Sequence, residues 1–195
     1  MNKLLVVYNT MGLQGSNTPY YIDCLRALLS QTLRDVRIVV SGCMLHERTK
    51  AALTQSFGDH ISYNFIDENY PLSVTFNDTV EQAVKHFGEF EGYLYLDSGI
   101  SFWDPSNRYD ALERFYNAYK RHDNAVIAAM ASNDTGIGQG GWWGVDIKQN
   151  EDYIFPVGKA VNLHCQIFPE EWRKQFNGKI LIDIISSNCQ ESLFT

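Results

Sequence analysis

Short apolar runs alternate with amphipathic stretches from the start of the chain. Residues 3–8 (Lys-Leu-Leu-Val-Val-Tyr) form an apolar run of strand length. A glycine-containing loop follows, and Thr18-Pro19 then opens a helix, with a capping hydroxyl before proline at the first helical position. Ile22, Leu25, Leu28 and Leu29 recur at helical spacing and predict its buried stripe. Residues 36–40 read as a second strand, 45–57 as a helix and 61–66 as a third strand. A helix over 72–87, apolar at Val80, Val84 and Phe87, leads to a fourth strand, Gly92-Tyr93-Leu94-Tyr95-Leu96, which ends in Asp97-Ser98-Gly99.

Beyond it, residues 108–121 predict a helix whose aromatic face is Leu112, Phe115, Tyr116 and Tyr119, and 125–131 a further strand. Regularity weakens over 133–144, which is rich in glycine and small polar residues. A strand over 161–168 and a short helix over 169–176 follow, with an apolar segment from Ile180. The last six residues read as the opening of a helix with no end, which favours a piece of a longer protein. Successive strand–helix units predict the α/β class: a mainly parallel sheet flanked by helices, built as one domain over 1–195.

Composition agrees with a single domain and narrows its partners. A chain of 195 residues can build a core without disulfide support. The formal net charge of −7, with basic residues scattered, lacks the footprint of a nucleic-acid binder. Cys24, Cys43, Cys165 and Cys189 show no CxxC spacing and read as reduced thiols in a cytoplasmic setting. The run 4–8 is far too short for a membrane span.

Candidate chemistry begins at Asp97. In open α/β sheets, ligands gather outside the carboxyl ends of the strands, and a carboxylate released there suits a hard divalent cation bridging a diphosphate. Asp-Ser-Gly is also ordinary turn chemistry. The segment Gly136–Gly144 matches neither a P-loop nor a dinucleotide fingerprint. Its pair Trp142-Trp143 suits a rim over an acceptor sugar, since an indole stacks on a pyranose face; core anchoring is the competing reading.

Four local features together carry a resemblance: the Asn9-Thr10 turn, the first helix from Tyr20-Tyr21 to Leu28-Leu29-Ser30-Gln31, the helix entrance Leu72-Ser73-Val74-Thr75-Phe76-Asn77, and Asp97-Ser98-Gly99. In these the chain resembles the nucleotide-sugar-dependent glycosyltransferases of the GT-A fold, most clearly over residues 3–103. The resemblance implies a nucleotide-sugar-binding half (1–103) and an acceptor-side half (104–195). It implies transfer from a nucleoside diphosphate sugar to a glycan or glycoprotein, assisted by Mn²⁺ or Mg²⁺. Asp97 corresponds to the first acid of the family's Asp-X-Asp motif, but Gly99 stands where the second acid belongs.

The same resemblance implies that Asn9 and Thr10 face the nucleoside, that Asp67 accepts from base or ribose, and that Asn77 lies near the nucleotide. It implies His164 as a further metal ligand, although a histidine on an apolar strand is often a packed core residue. An inverting transfer needs a carboxylate base for the acceptor hydroxyl, and Glu191, ahead of Asp183, is the candidate. Two other readings compete. A non-catalytic sugar- or nucleotide-binding module gains support from Gly99, whereas a sugar nucleotidyltransferase is disfavoured because Met11-Gly12-Leu13-Gln14-Gly15 contains no basic residue.

Overall fold

The computed structural model describes residues 2–11, 17–98, 100–102, 109–122, 126–128, 131–132, 138–139 and 165–181. The alternation becomes β1 (Asn2–Met11), α1 (Thr18–Leu29), β2 (Val36–Cys43), α2 (Glu47–Phe57), β3 (Ser62–Ile66), α3 (Leu72–Phe87) and β4 (Phe90–Asp97). After these come α4 (Ala111–Arg121), β5 (Ile127–Ala128), β6 (Ala131–Ser132), β7 (Gly138–Gln139), β8 (Cys165–Pro169) and α5 (Glu170–Gln175). Six strands form one sheet in the order β3-β2-β1-β4-β8-β5. The first four are parallel, while β8 runs antiparallel to both β4 and β5. The short β6 and β7 pair with each other outside that sheet.

Strand periodicity sends alternate side chains to opposite faces, and each face is covered by helices. Leu4, Val6 and Tyr8 of β1 join Leu25 and Leu28 of α1, Leu53 of α2, and Leu112, Tyr116 and Tyr119 of α4. Leu5 and Val7 point the other way, into a core with Phe76, Val80 and Ala83 of α3 and Tyr93 and Tyr95 of β4. Cys24, Cys43 and Cys165 are buried free thiols in three different elements, and burial pushes Cys165 up to about 12.

Several local expectations change. Thr18 is not the cap of α1: it lies inside the helix after Asn17, and its Oγ1 sits 2.7 Å from Thr49 Oγ1 of α2. The buried stripe of α1 is Tyr21, Cys24, Leu25 and Leu28, with Ile22 and Leu29 only partly covered. Helix α2 starts at Glu47 because His46 caps it, Nδ1 accepting from the Arg48 amide at 3.1 Å. Of the strand expected over 125–131, the described residues form β5 and the start of β6.

Two polar fastenings tie helices α5 and α4 to β4. Glu170, at the start of α5, accepts from Arg173 Nε and Nη2 at 2.7 and 2.6 Å and from Tyr93 Oη at 2.5 Å. Glu91 accepts from Tyr116 Oη at 2.7 Å and Lys120 Nζ at 2.8 Å, while its backbone carbonyl accepts from Tyr119 Oη at 2.6 Å.

Candidate active site

Connectivity fixes where a ligand belongs. From β1 the chain steps outward through α1, β2, α2 and β3, and α3 then carries it back across the sheet to β4 on the other side of β1. The order therefore reverses between β1 and β4, and a crevice at their carboxyl ends is the usual ligand position in such sheets.

Register brings polar residues to that point. Asn64 of β3 pairs with Ser41 of β2, Ser41 with Asn9 of β1, and Asn9 with Asp97 of β4. Following the alternation from Val39, Val7 and Tyr95, these residues stand in one row on the α3 face. Beneath the row, Phe76 of α3 packs on Tyr95, with ring centroids 5.3 Å apart. The apolar floor thus gives way to a polar rung at the sheet edge.

The α3 side of the row is bonded. Thr79 Oγ1 lies 2.9 Å from Ser41 Oγ and 2.7 Å from the Thr75 carbonyl, and Asn64 Nδ2 donates to Asp78 Oδ2 and Thr79 Oγ1, both at 2.9 Å. Thr10, 3% exposed, donates from Oγ1 to the Ser41 carbonyl at 3.2 Å. Asn9, 7% exposed, donates from Nδ2 to the Val7 and Leu96 carbonyls at 3.0 and 3.3 Å. Two carbonyl acceptors fix the amide's orientation, because the reverse rotamer would set oxygen against oxygen. Its Oδ1 is buried and has no hydrogen-bond partner among the described residues.

Asp97 closes β4 half-buried, with Ser98 Oγ 3.5 Å from its Oδ1 and the Ile100 amide donating to its backbone carbonyl at 3.0 Å. Asp67 follows β3, and Lys50 of α2, which also donates to Glu47 Oε1 at 2.7 Å, holds its carboxylate. Hydrogen bonds to Asp67 and then Glu47 raise the Lys50 pKa, keeping its ammonium charged. Asn77 turns to a different task. Its Nδ2 donates to the Leu181 carbonyl at 2.5 Å, and its Oδ1 accepts from the Ile180 and Leu181 amides at 2.8 and 3.1 Å.

Topology therefore unites Asn9, Thr10 and Asp97; Asp67, paired with Lys50, keeps an exposed carboxylate after β3, whereas Asn77 is engaged by the backbone at Ile180 and Leu181. Trp142, Trp143, His164, Asp183 and Glu191 lie outside the described residues. The sequence reading missed Ser41, Tyr8 and Gln31. Tyr8 Oη donates to the Ser98 carbonyl at 3.0 Å, and Gln31 Nε2 to the Phe102 carbonyl at 3.1 Å. One signal was present: a hydroxyl on the last residue of an otherwise apolar strand run.

The architecture is a GT-A-type, Rossmann-like fold, with its polar rung at the switch point. Among solved structures, the chain is similar to Staphylococcus aureus TarS (residues 1–349), with a TM-score of 0.65, 15% identity, and 98% of this chain covering 53% of that one. TarS in complex with UDP gives a TM-score of 0.63 at 16% identity, with the same coverage. The mannosyltransferase PcManGT from Pyrobaculum calidifontis, in complex with GDP-Man and Mn²⁺, gives 0.56 at 14% identity, with 90% of this chain covering 47% of that one. The chain spans about half the length of these proteins. No protein-family model matches it. No curated protein matches it either.

Proposed function

We propose that this chain is the donor-binding catalytic domain of a glycosyltransferase that moves a sugar from a nucleoside diphosphate to a glycan or glycoprotein. The observation that carries the reading is the in-register pairing of Asn9 with Asp97 at the switch point. Solved structures of the same fold hold UDP in TarS and GDP-Man with Mn²⁺ in the mannosyltransferase, which supports a nucleotide-sugar ligand here. In this reading residues 1–103 hold the donor, through Asn9, Thr10, Asp67 and Asp97, and 104–195 the acceptor side. One of Trp142 and Trp143 stacks on the acceptor sugar. Glu191, or in second place Asp183, takes the proton from the acceptor hydroxyl as it attacks.

A divalent cation, Mn²⁺ or Mg²⁺, fits the oxygen chemistry of the rung. Asp97 would supply a carboxylate, and the buried Oδ1 of Asn9, whose residue pairs with it across the strands, has no donor among the described residues. Among the described residues no group of three His, Cys, Asp or Glu converges as a ligand cluster. Asp97 would hold the ion, with His164 as a further candidate. When bound, the ion neutralises charge developing on the departing nucleoside diphosphate. A cytoplasmic setting agrees with the free thiols. No helix among the described residues is long and apolar enough to cross a membrane.

The test is a thermal-shift series with UDP and GDP, with and without Mn²⁺, followed by sugar-nucleotide hydrolysis assays. A ligand at 100 times its dissociation constant stabilises by about 2.7 kcal/mol, a readily measured rise in melting temperature. Wild type gains most with nucleotide and Mn²⁺ together, and Asp97→Ala loses the metal-dependent part along with turnover. Equal responses from wild type and Asp97→Ala would sink the assignment. Gly99 in place of a second acid favours a binding module as the other reading; there, nucleotide raises the melting temperature but no turnover is seen.

A further inference from the structure

The segment after Asp97 is fastened by two side chains from the first strand–helix unit. Tyr8 Oη bonds the Ser98 carbonyl at 3.0 Å, and Gln31 Nε2 bonds the Phe102 carbonyl at 3.1 Å. Gln31 is itself braced, since its Oε1 accepts from the Leu112 amide at 3.0 Å at the start of α4. Between the two anchors, the Ile100 amide closes back on the Asp97 carbonyl at 3.0 Å.

Packing alone does not account for Tyr8. Its ring is wholly buried and stands edge-on to Tyr21, with centroids 6.4 Å apart and planes at 78°. Phenylalanine would fill that space as well. A buried hydroxyl is favourable only when it is bonded, and this one is bonded to the residue immediately after the site acid. Burial above all, with Cys24 adding to it, pushes the Tyr8 pKa far above its ordinary range, so the group stays a donor at any working pH.

We propose that Tyr8 is a positioning residue: its hydroxyl fixes the Ser98 carbonyl and thereby the backbone geometry from which Asp97 offers its carboxylate to a metal–diphosphate ligand. The proposal rests on the function argued above. Tyr8 lies in the core on the α1 face, whereas Asp97 follows the α3-face alternation, so Tyr8 acts through the main chain without touching ligand.

Tyr93 provides a matched control. It too is a buried tyrosine of the central sheet with a bonded hydroxyl, but its partner is Glu170. The experiment titrates UDP and GDP calorimetrically, with and without Mn²⁺, into wild type, Tyr8→Phe, Tyr93→Phe and Asp97→Ala. Tyr8→Phe is expected to lose about tenfold of the metal-dependent gain in affinity, the lower end of what groups that orient a metal's ligands contribute, with metal-free affinity unchanged. Tyr93→Phe keeps the whole gain. Full retention by Tyr8→Phe, or an equal loss in Tyr93→Phe, overturns the proposal alone. Full retention by Asp97→Ala overturns the functional reading beneath it, and the proposal with it.

Discussion

Glu170 shows how a single side chain can be decided by its partners. Burial raises its pKa, but the bonds from Arg173 and Tyr93 outweigh that, leaving it below the ordinary carboxylate value. A depressed folded-state value means that this carboxylate contributes stability above its unfolded pKa, near 4.5, and that the contribution fades as the pH falls through the lower folded value. Urea unfolding from pH 7 down to pH 3 is therefore expected to show a steeper loss for wild type than for Glu170→Gln. At neutral pH, Arg173→Met leaves Glu170 charged and buried; both side chains of this pair are largely shielded from solvent, and removing one partner of a buried pair costs about 3–5 kcal/mol. Legibility at this scale was uneven. Asn9 and Asp97 could be read because each follows or ends an apolar run, whereas the partners of Tyr8, Gln31 and Asn77 lie 90, 71 and 104 positions away, where no local pattern can name them.

The elements themselves were legible wherever hydrophobic period and length agreed, as in β1 to β4 with α1 to α3. Errors arose where two local rules competed. At Thr18 the Thr-Pro motif predicts a cap, but the hydroxyl pairs with Thr49, so Asn17 takes the boundary without a side-chain cap bond. The stripe of α1 moved because Tyr21 and Cys24, which apolar counting passes over, face the same core as Leu25. Glycine in a strand is another element-level test. Replacing Gly42 of β2 by alanine would ordinarily gain about 0.5–1 kcal/mol of backbone entropy. Here a Cβ would lie 2.5 Å from Leu45 Cδ1 and 2.8 Å from Phe65 Cδ1. Overpacking of that kind costs about 1–3 kcal/mol, so the clash wins and Gly42→Ala lowers the denaturation midpoint. Adding Leu45→Ala to it should recover less than full stability, because a buried leucine is lost as well.

Across the whole molecule, long-range ties join the late chain to the early sheet. Asn77 of α3 binds the backbone at Ile180 and Leu181 through three hydrogen bonds, and Ile180 and Leu181 lie in the α3-face core. Asn77→Ala is expected to cost about 1–3 kcal/mol, the penalty for leaving buried polar groups unpaired, and to speed hydrogen exchange at those two amides. Nucleotide affinity should stay unchanged; a selective loss of affinity at unchanged stability would return Asn77 to the donor site. The mainly parallel frame was legible as a whole from strand–helix alternation. The antiparallel insertion of β8 between β4 and β5 was not, because strand direction in a sheet depends on partners far away in sequence. The buried thiols of α1, β2 and β8 have a practical consequence. A maleimide or iodoacetamide added to the native protein meets closed doors at Cys24, Cys43 and Cys165, so each alkylation event is a timestamp for the breathing of one layer. Mass spectrometry of the three labelled peptides would then read the order in which the domain comes apart.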